Sequence, residues 1–140
     1  YYYYTTKWYS FEMIKKRVLK TKTFARWMYK NGLSSNDLLN AVDEMEEGLI
    51  DADLGKHLYK KRVALAGAGK RSGVRVIVAS RLLKRWIFIF GFAKNEKSNI
   101  TKSELLYLQE TAKRLIYLTD REIDIAIVDG EIKELKADDK

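Results

Sequence analysis

The sequence predicts an α+β fold: a small antiparallel, partly mixed β-sheet with an N-terminal helical pair and a C-terminal helix. Three observations carry this reading. Two stretches of helical periodicity precede residue 50, three β-type segments lie between Leu58 and Phe92, and helical spacing returns from about Thr101. At 140 residues the chain supports one hydrophobic core and is too short for two.

Tyr1 to Tyr4 form a run without structural logic, so residues 1–10 are expected to be a disordered or artificially appended tail, leaving 11–140 as a single domain. Phe11 to Val18 is expected to contain a strand. From Thr21 to Asn31, Phe24, Trp27 and Met28 recur at helical spacing, and Asn31-Gly32 ends the helix. Ser34 or Ser35 caps the next helix. Leu38, Val42, Met45 and Leu49 make its apolar stripe, and Asp43, Glu44, Glu46 and Glu47 its solvated face. Leu58 to Val63 opens the meander, and Ala64 to Gly73 reads as a flexible, glycine-punctuated hairpin loop. Val74 to Ser80 is the second strand. Trp86 to Phe92, apolar on both faces, is a central strand covered on two sides, reached through a turn over Arg81 to Arg85. A helix over Thr101 to Tyr117 buries Leu105, Leu108, Ala112, Leu115 and Ile116. A short helix over Thr119 to Val128 and a Glu131–Leu135 extension follow.

Composition removes several classes of function. Without cysteine there are no disulfides, thiolate zinc sites or cysteine nucleophiles. The single histidine, His57, rules out a multi-histidine metal centre, argues against a serine–histidine hydrolase, and reads as ordinary surface. Neither a metal nor a cofactor is expected. No apolar run approaches the roughly 20 residues of a membrane helix. The first residues lack the basic-then-apolar order of a secretion signal, and a cytoplasmic location is expected.

The net charge of +8 conceals a segregation along the chain. Residues 1–33 carry 8 bases and 1 acid, residues 34–55 carry 7 acids and no base, residues 56–97 carry 12 bases and 1 acid, and residues 98–140 carry 7 bases and 10 acids. The third segment is a nearly acid-free cationic block, which suits either a solvated basic face or a polyanionic partner.

Within that block, strand alternation puts Lys60 and Arg62 on one face and Tyr59 and Lys61 on the other. Two cations at i and i+2 lie about 7 Å apart, a pitch that suits neighbouring RNA phosphates. The plainer reading is an exposed strand whose lysines discourage aggregation. Arg75 interrupts an apolar strand, where arginine is costly unless it is paired, with Glu96 for example, or faces a cleft where it grips a phosphate. Lys94 and Lys97 follow the central strand, at the rim of such a cleft. Gly67-Ala68-Gly69-Lys70 has the wrong spacing for a nucleotide-binding loop and no helix after it. It reads as a hairpin tip that carries Lys70 and Arg71 toward a partner's phosphates.

From about Lys20 to Ile132 the sequence resembles the RelE-like toxins of bacterial toxin–antitoxin pairs, particularly a HigB-like subgroup. The resemblance rests on the order and spacing of Phe24–Trp27, Glu44–Gly55, Lys60–Ala64, Gly69–Arg75 and Gly91–Ile100. It implies a small α+β RelE-like fold, ribosome-dependent cleavage of mRNA in the A site, and a helix-turn-helix antitoxin as partner. Lys60, Arg62 and Arg75 fall on the family's basic positions, and Lys94-Asn95-Glu96-Lys97 on its later basic motif. The sequence departs from the pattern at Asn95, where many relatives have arginine, and at Thr101, where the family's catalytic tyrosine stands in other members. The resemblance therefore does not identify the general acid. Catalysis is expected of Lys60, Arg62, Arg75 and Lys94, and RNA or ribosome binding of Lys61, Lys70, Arg71 and Lys97. Toxins of the same fold that act on DNA gyrase without cleaving RNA, and a non-catalytic nucleic-acid-binding domain, are the alternatives.

Overall fold

The structure, a computed structural model, describes residues 16–65, 69–81 and 84–136, without the side chains of residues 69–72. The elements, in chain order, are β1 Arg17–Thr21, α1 Lys22–Lys30, α2 Ser35–Glu46, β2 Ala52–Gly55, β3 Leu58–Leu65, β4 Gly69–Arg81, β5 Arg85–Ala93, α3 Lys102–Ile116, α4 Asp120–Val128 and β6 Ile132–Glu134. The expected tail of residues 1–10 lies outside the described residues.

Local chemistry sets the helix starts. Thr21, Ser34, Thr101 and Thr119 each accept a backbone N–H from three residues on. In the last three the carboxylates of Asp37, Glu104 and Glu122 return the bond to the cap's own N–H. At the end of α1, Gly32 takes up a φ of +72°, which releases the chain toward α2. The apolar stripe of α2 ends sooner than expected. Leu38, Ala41, Val42 and Met45 are buried, whereas Leu49 lies past the helix end and is 54% exposed.

The sheet order is β2-β3-β4-β5-β1-β6. β2 to β5 form an antiparallel meander, β1 runs parallel to β5, and β6 closes antiparallel to β1. The sheet is therefore mixed. The first strand begins at Arg17, later than the Phe11–Val18 expectation, whose residues 11–15 lie outside the described set. Strand β2 had no counterpart in the sequence reading. The expected hairpin loop is mostly strand: Leu65 already faces Gly69, and only residues 66–68, outside the described set, separate β3 from β4. Gly73 permits this close pairing, since a Cβ there would lie 2.2 Å from the Val63 carbonyl oxygen.

Each sheet face carries its own core. On one, Phe24 and Met28 of α1 and Leu38, Val42 and Met45 of α2 meet Val74, Val76, Val78, Trp86 and Phe88. The Trp27 ring lies over Gly91, where any Cβ would come within 2.3 Å of it. On the other face, Leu108, Ala112 and Ile116 of α3 and Ile123 of α4 meet Leu58, Ile77, Ala79 and Ile87. β5 is covered on both sides, as its sequence predicts. A register shift opposite Ile77/Val78 leaves Ile89 outside the ladder, so that Ile89 and Phe90 both pack on the α3 side.

Two arginines tie the C-terminal helices to the sheet. Arg85 donates to the carbonyls of Leu115, Ile116 and Leu118 at the end of α3, and to Asp120. Arg17 bonds Glu134, Asp120 and Asp124. Arg85, part of the cationic block, is thus occupied by structure.

Candidate functional site

On the α3 side, α3 covers the part of the sheet around Leu58, Ile77 and Ala79 and leaves the other end open. Alternation and register fill that open end with cations. Lys60 stands beside Ile77, Arg62 directly opposite Arg75, and Arg75 opposite Phe92. Lys60 is half-buried and Arg62 exposed. Like charges placed directly opposite each other weaken a sheet. The Arg62–Arg75 pair is therefore a local violation of folding logic, of the kind found at sites that bind an anion.

Arg75 is the more informative of the two. Its side chain is only 11% exposed, its Nε lies 3.9 Å from Asp51 Oδ2, and its Nη1 is buried with no hydrogen-bond partner among the described residues. The acid near it is Asp51 and not the expected Glu96. The turn after β5 carries Glu96 out to solvent, while the Asp51 N–H, bonded to the Lys60 carbonyl, fixes Asp51 beside β3. A buried N–H left without an acceptor costs about 1–3 kcal/mol. An anionic oxygen that reached this N–H would satisfy it.

The segment after β5 returns over this end of the sheet. The N–H groups of Glu96 and Lys97 donate to the Ala93 carbonyl. The Asn99 side-chain oxygen takes the Ile100 N–H at 2.9 Å and the Lys60 Nζ at 3.4 Å. Lys94 is exposed and makes no ion pair among the described residues. Lys97 is different: its Nζ lies 2.6 Å from Glu104 Oε2 and 5.8 Å from the Phe90 ring centroid. The hydrogen bond from Lys97, aided by the Thr101 N–H, holds the Glu104 carboxyl below its ordinary value. The Thr101 hydroxyl is committed to capping α3, where it accepts the Glu104 N–H.

Lys61 does not join the site. Its side chain is 3% exposed, points to the opposite sheet face, and binds Glu44 of α2 at 2.7 Å. The reading of Lys61 as an RNA-binding residue is corrected accordingly, as is that of Glu44 as purely solvated. The backbone of Lys70 and Arg71 belongs to β4 rather than to a loop, and their side chains lie outside the described residues. His57 is exposed in the β2–β3 turn, where Lys56 and His57 have φ of +53° and +69°. Sequence reasoning missed Asp51 and Asn99, both of which reach the site through pairings distant in sequence. A cavity of about 890 Å³ between α1, β1 and residues 129–133 is on the other side of the sheet and plays no part in this site.

The family model describing the RelE toxin of the RelE/RelB toxin–antitoxin system matches residues 16–135. The chain belongs to the RelE toxin family. The match covers every described element, and the α+β mixed sheet is consistent with that fold. The chain matches none of the curated proteins with which it was compared. As a RelE family member it is the toxin of a toxin–antitoxin system, which implies an antitoxin partner. Among the described residues no helix is long and apolar enough to cross a membrane, and no group of three His, Cys, Asp or Glu side chains is placed to hold a metal ion.

Proposed function

We propose that this RelE family toxin is a metal-independent endoribonuclease that cleaves mRNA in the ribosomal A site and so arrests translation in the cytoplasm, restrained by a helix-turn-helix antitoxin. The observation that carries the reading is the Arg62–Arg75 cross-strand pair, with one Arg75 N–H buried and lacking an acceptor. Cleavage without a metal begins when a ribose 2′-hydroxyl attacks the adjacent phosphorus. The 2′-proton passes to a base, and the 5′-oxygen departs with a proton from an acid, leaving a 2′,3′-cyclic phosphate and a 5′-hydroxyl. Negative charge grows on the phosphate oxygens, and Arg62 and Arg75, permanently charged, stabilise it. Lys60 or Lys94 moves the protons. The ribosome aligns the message, and that alignment lowers much of the barrier, so a site without histidine suffices.

The test is primer extension on ribosomes carrying a defined message in the A site. The toxin should cut within that codon, and the Lys60→Ala/Arg62→Ala double variant should bind ribosomes and leave the message whole. In cells without antitoxin, pulse labelling should show protein synthesis failing first. DNA synthesis failing first, with no cut message, would refute the proposal in favour of a gyrase-directed toxin.

A further inference from the structure

Beside the cationic end of the sheet lies a cavity of about 470 Å³ with no role so far, between β5, α3 and the start of α1. Its size falls within the range of about 300–1,000 Å³ typical of small-molecule pockets. Phe90, Tyr107, Ile89 and Leu108 make up half of its eight lining residues, Thr21, Thr23 and Ser103 add hydroxyls, and Glu104 is the only charged one. Tyr107 is 68% exposed, a large aromatic left in solvent where α3 borders the cavity.

We propose that this cavity takes up one base of the RNA strand whose phosphate Arg62 and Arg75 hold; the assignment rests on the RNA-directed reading of that site. Three observations support it. First, one strand carries both the cavity and a neighbour of the phosphate grip. Arg75 faces Phe92 across the ladder, Phe90 of the cavity lies two residues away from Phe92 on β5, and the two rings are 6.3 Å apart. The buried Phe92 thus packs between the cationic pair and the pocket wall and holds them a short, fixed distance apart. Second, the lining suits a base better than a phosphate. It contains π-faces and aliphatic groups, the hydroxyls of Thr21, Thr23 and Ser103, no lysine or arginine, and one carboxylate already engaged by Lys97, so it offers a base stacking surfaces and hydroxyl partners and offers an anion no cation in its lining. Third, the cation at the boundary is fixed. Lys97, held by Glu104 and lying 5.8 Å from the Phe90 ring, stands beside the pocket, where it can meet the backbone of a strand whose base enters it. The bulge at Ile89 contributes to this pocket by turning two successive side chains, Ile89 and Phe90, to the same face.

The test uses 2′-O-methyl RNA hexamers, which cannot be cleaved, with 2-aminopurine at each position in turn and matched hexamers abasic at that position. At one position, binding of the toxin should quench 2-aminopurine strongly. Removing the base there should weaken Kd by about fivefold to a hundredfold, the measured range for stacking on one aromatic side chain. Tyr107→Ala, at an exposed helical position, should abolish the quench and bring the base-to-abasic ratio close to one, while Tyr107→Phe should retain both. Arg75→Ala should weaken intact and abasic hexamers alike. Absence of hexamer binding, quenching without positional preference, or a quench that survives Tyr107→Ala would overturn the proposal. Because the hexamers report stacking without cleavage, a wild-type toxin that stacks the base and leaves ribosome-bound message whole overturns only the nuclease reading. One that cuts message without stacking overturns only the pocket.

Discussion

Substituting methionine for Arg75 is expected to separate stability from activity, with opposite signs. In the folded toxin the Arg75 side chain is 11% exposed and its Nη1 is without an acceptor among the described residues, at a cost of about 1–3 kcal/mol. The facing Arg62 adds a repulsion of about 0.2–1 kcal/mol. Against these, Asp51 lies 3.9 Å away and is 30% exposed, an ion pair worth about 1 kcal/mol at most. Methionine keeps the aliphatic stem that packs in the sheet and removes both costs, so Arg75→Met should be neutral or stabilising by up to about 2 kcal/mol. At roughly 3 °C per kcal/mol for a domain of this size, Tm should rise by up to about 6 °C. Cleavage should fall by about 10²- to 10³-fold, as when one preorganised donor is removed from a developing oxyanion. Urea unfolding gives the first quantity, and primer extension on programmed ribosomes gives the second. A variant that cuts within about threefold of wild type, or that loses more than about 1 kcal/mol of stability, would refute the reasoning.

Gly91→Ala should destabilise by about 1–3 kcal/mol, because its Cβ would lie 2.3 Å from the Trp27 ring. Adding Trp27→Leu should recover part of that loss in urea unfolding. Glu44→Gln should lower stability by about 1–3 kcal/mol by leaving Lys61 buried opposite an amide; the effect is moderated because Glu44 is 39% exposed. Lys61→Met should fold and cleave as wild type does, and a loss of cleavage without unfolding would restore Lys61 to the site. The lowered Glu104 pKa implies stability that is fully present above the ordinary value of 4.5 and lost as pH falls through the native one. Acid unfolding monitored by circular dichroism should therefore show a shallower pH slope in Glu104→Gln.

Where short-range chemistry decides, the sequence could be read closely. The starts of α2, α3 and α4 follow from Ser34, Thr101 and Thr119 with a carboxylate three residues on, and the span of β5 follows from an apolar run on both faces. Other features depend on pairings made far along the chain. Strand β2 is a four-residue edge, Ala-Asp-Leu-Gly, too short to show a period, and only its ladder with β3 makes it a strand. The parallel β1–β5 pair joins residues nearly 70 positions apart, which no local pattern announces. At the site, alternation correctly set Lys60 and Arg62 together and Lys61 apart. It could not reveal that Glu44 lies under Lys61, or that Asp51 rather than Glu96 approaches Arg75. Those partners depend on how α2 and the β2–β3 edge pack on the sheet.

The position of β1 has a consequence for synthesis of the toxin. This strand is among the first described segments to leave the ribosome, yet its neighbours in the sheet are β5 and β6, and β6 is made more than 100 residues later. The β3–β4–β5 meander, made of local pairings, can assemble while the chain is still growing. Until β5 emerges, however, Phe24, Trp27 and Met28 of α1 have no complete sheet to cover them, and Arg17 has no Glu134 to bind until β6 is made. The nascent chain therefore carries an exposed apolar helix until the meander is finished, and the strands that hold the cationic pair close before the fold that steadies them.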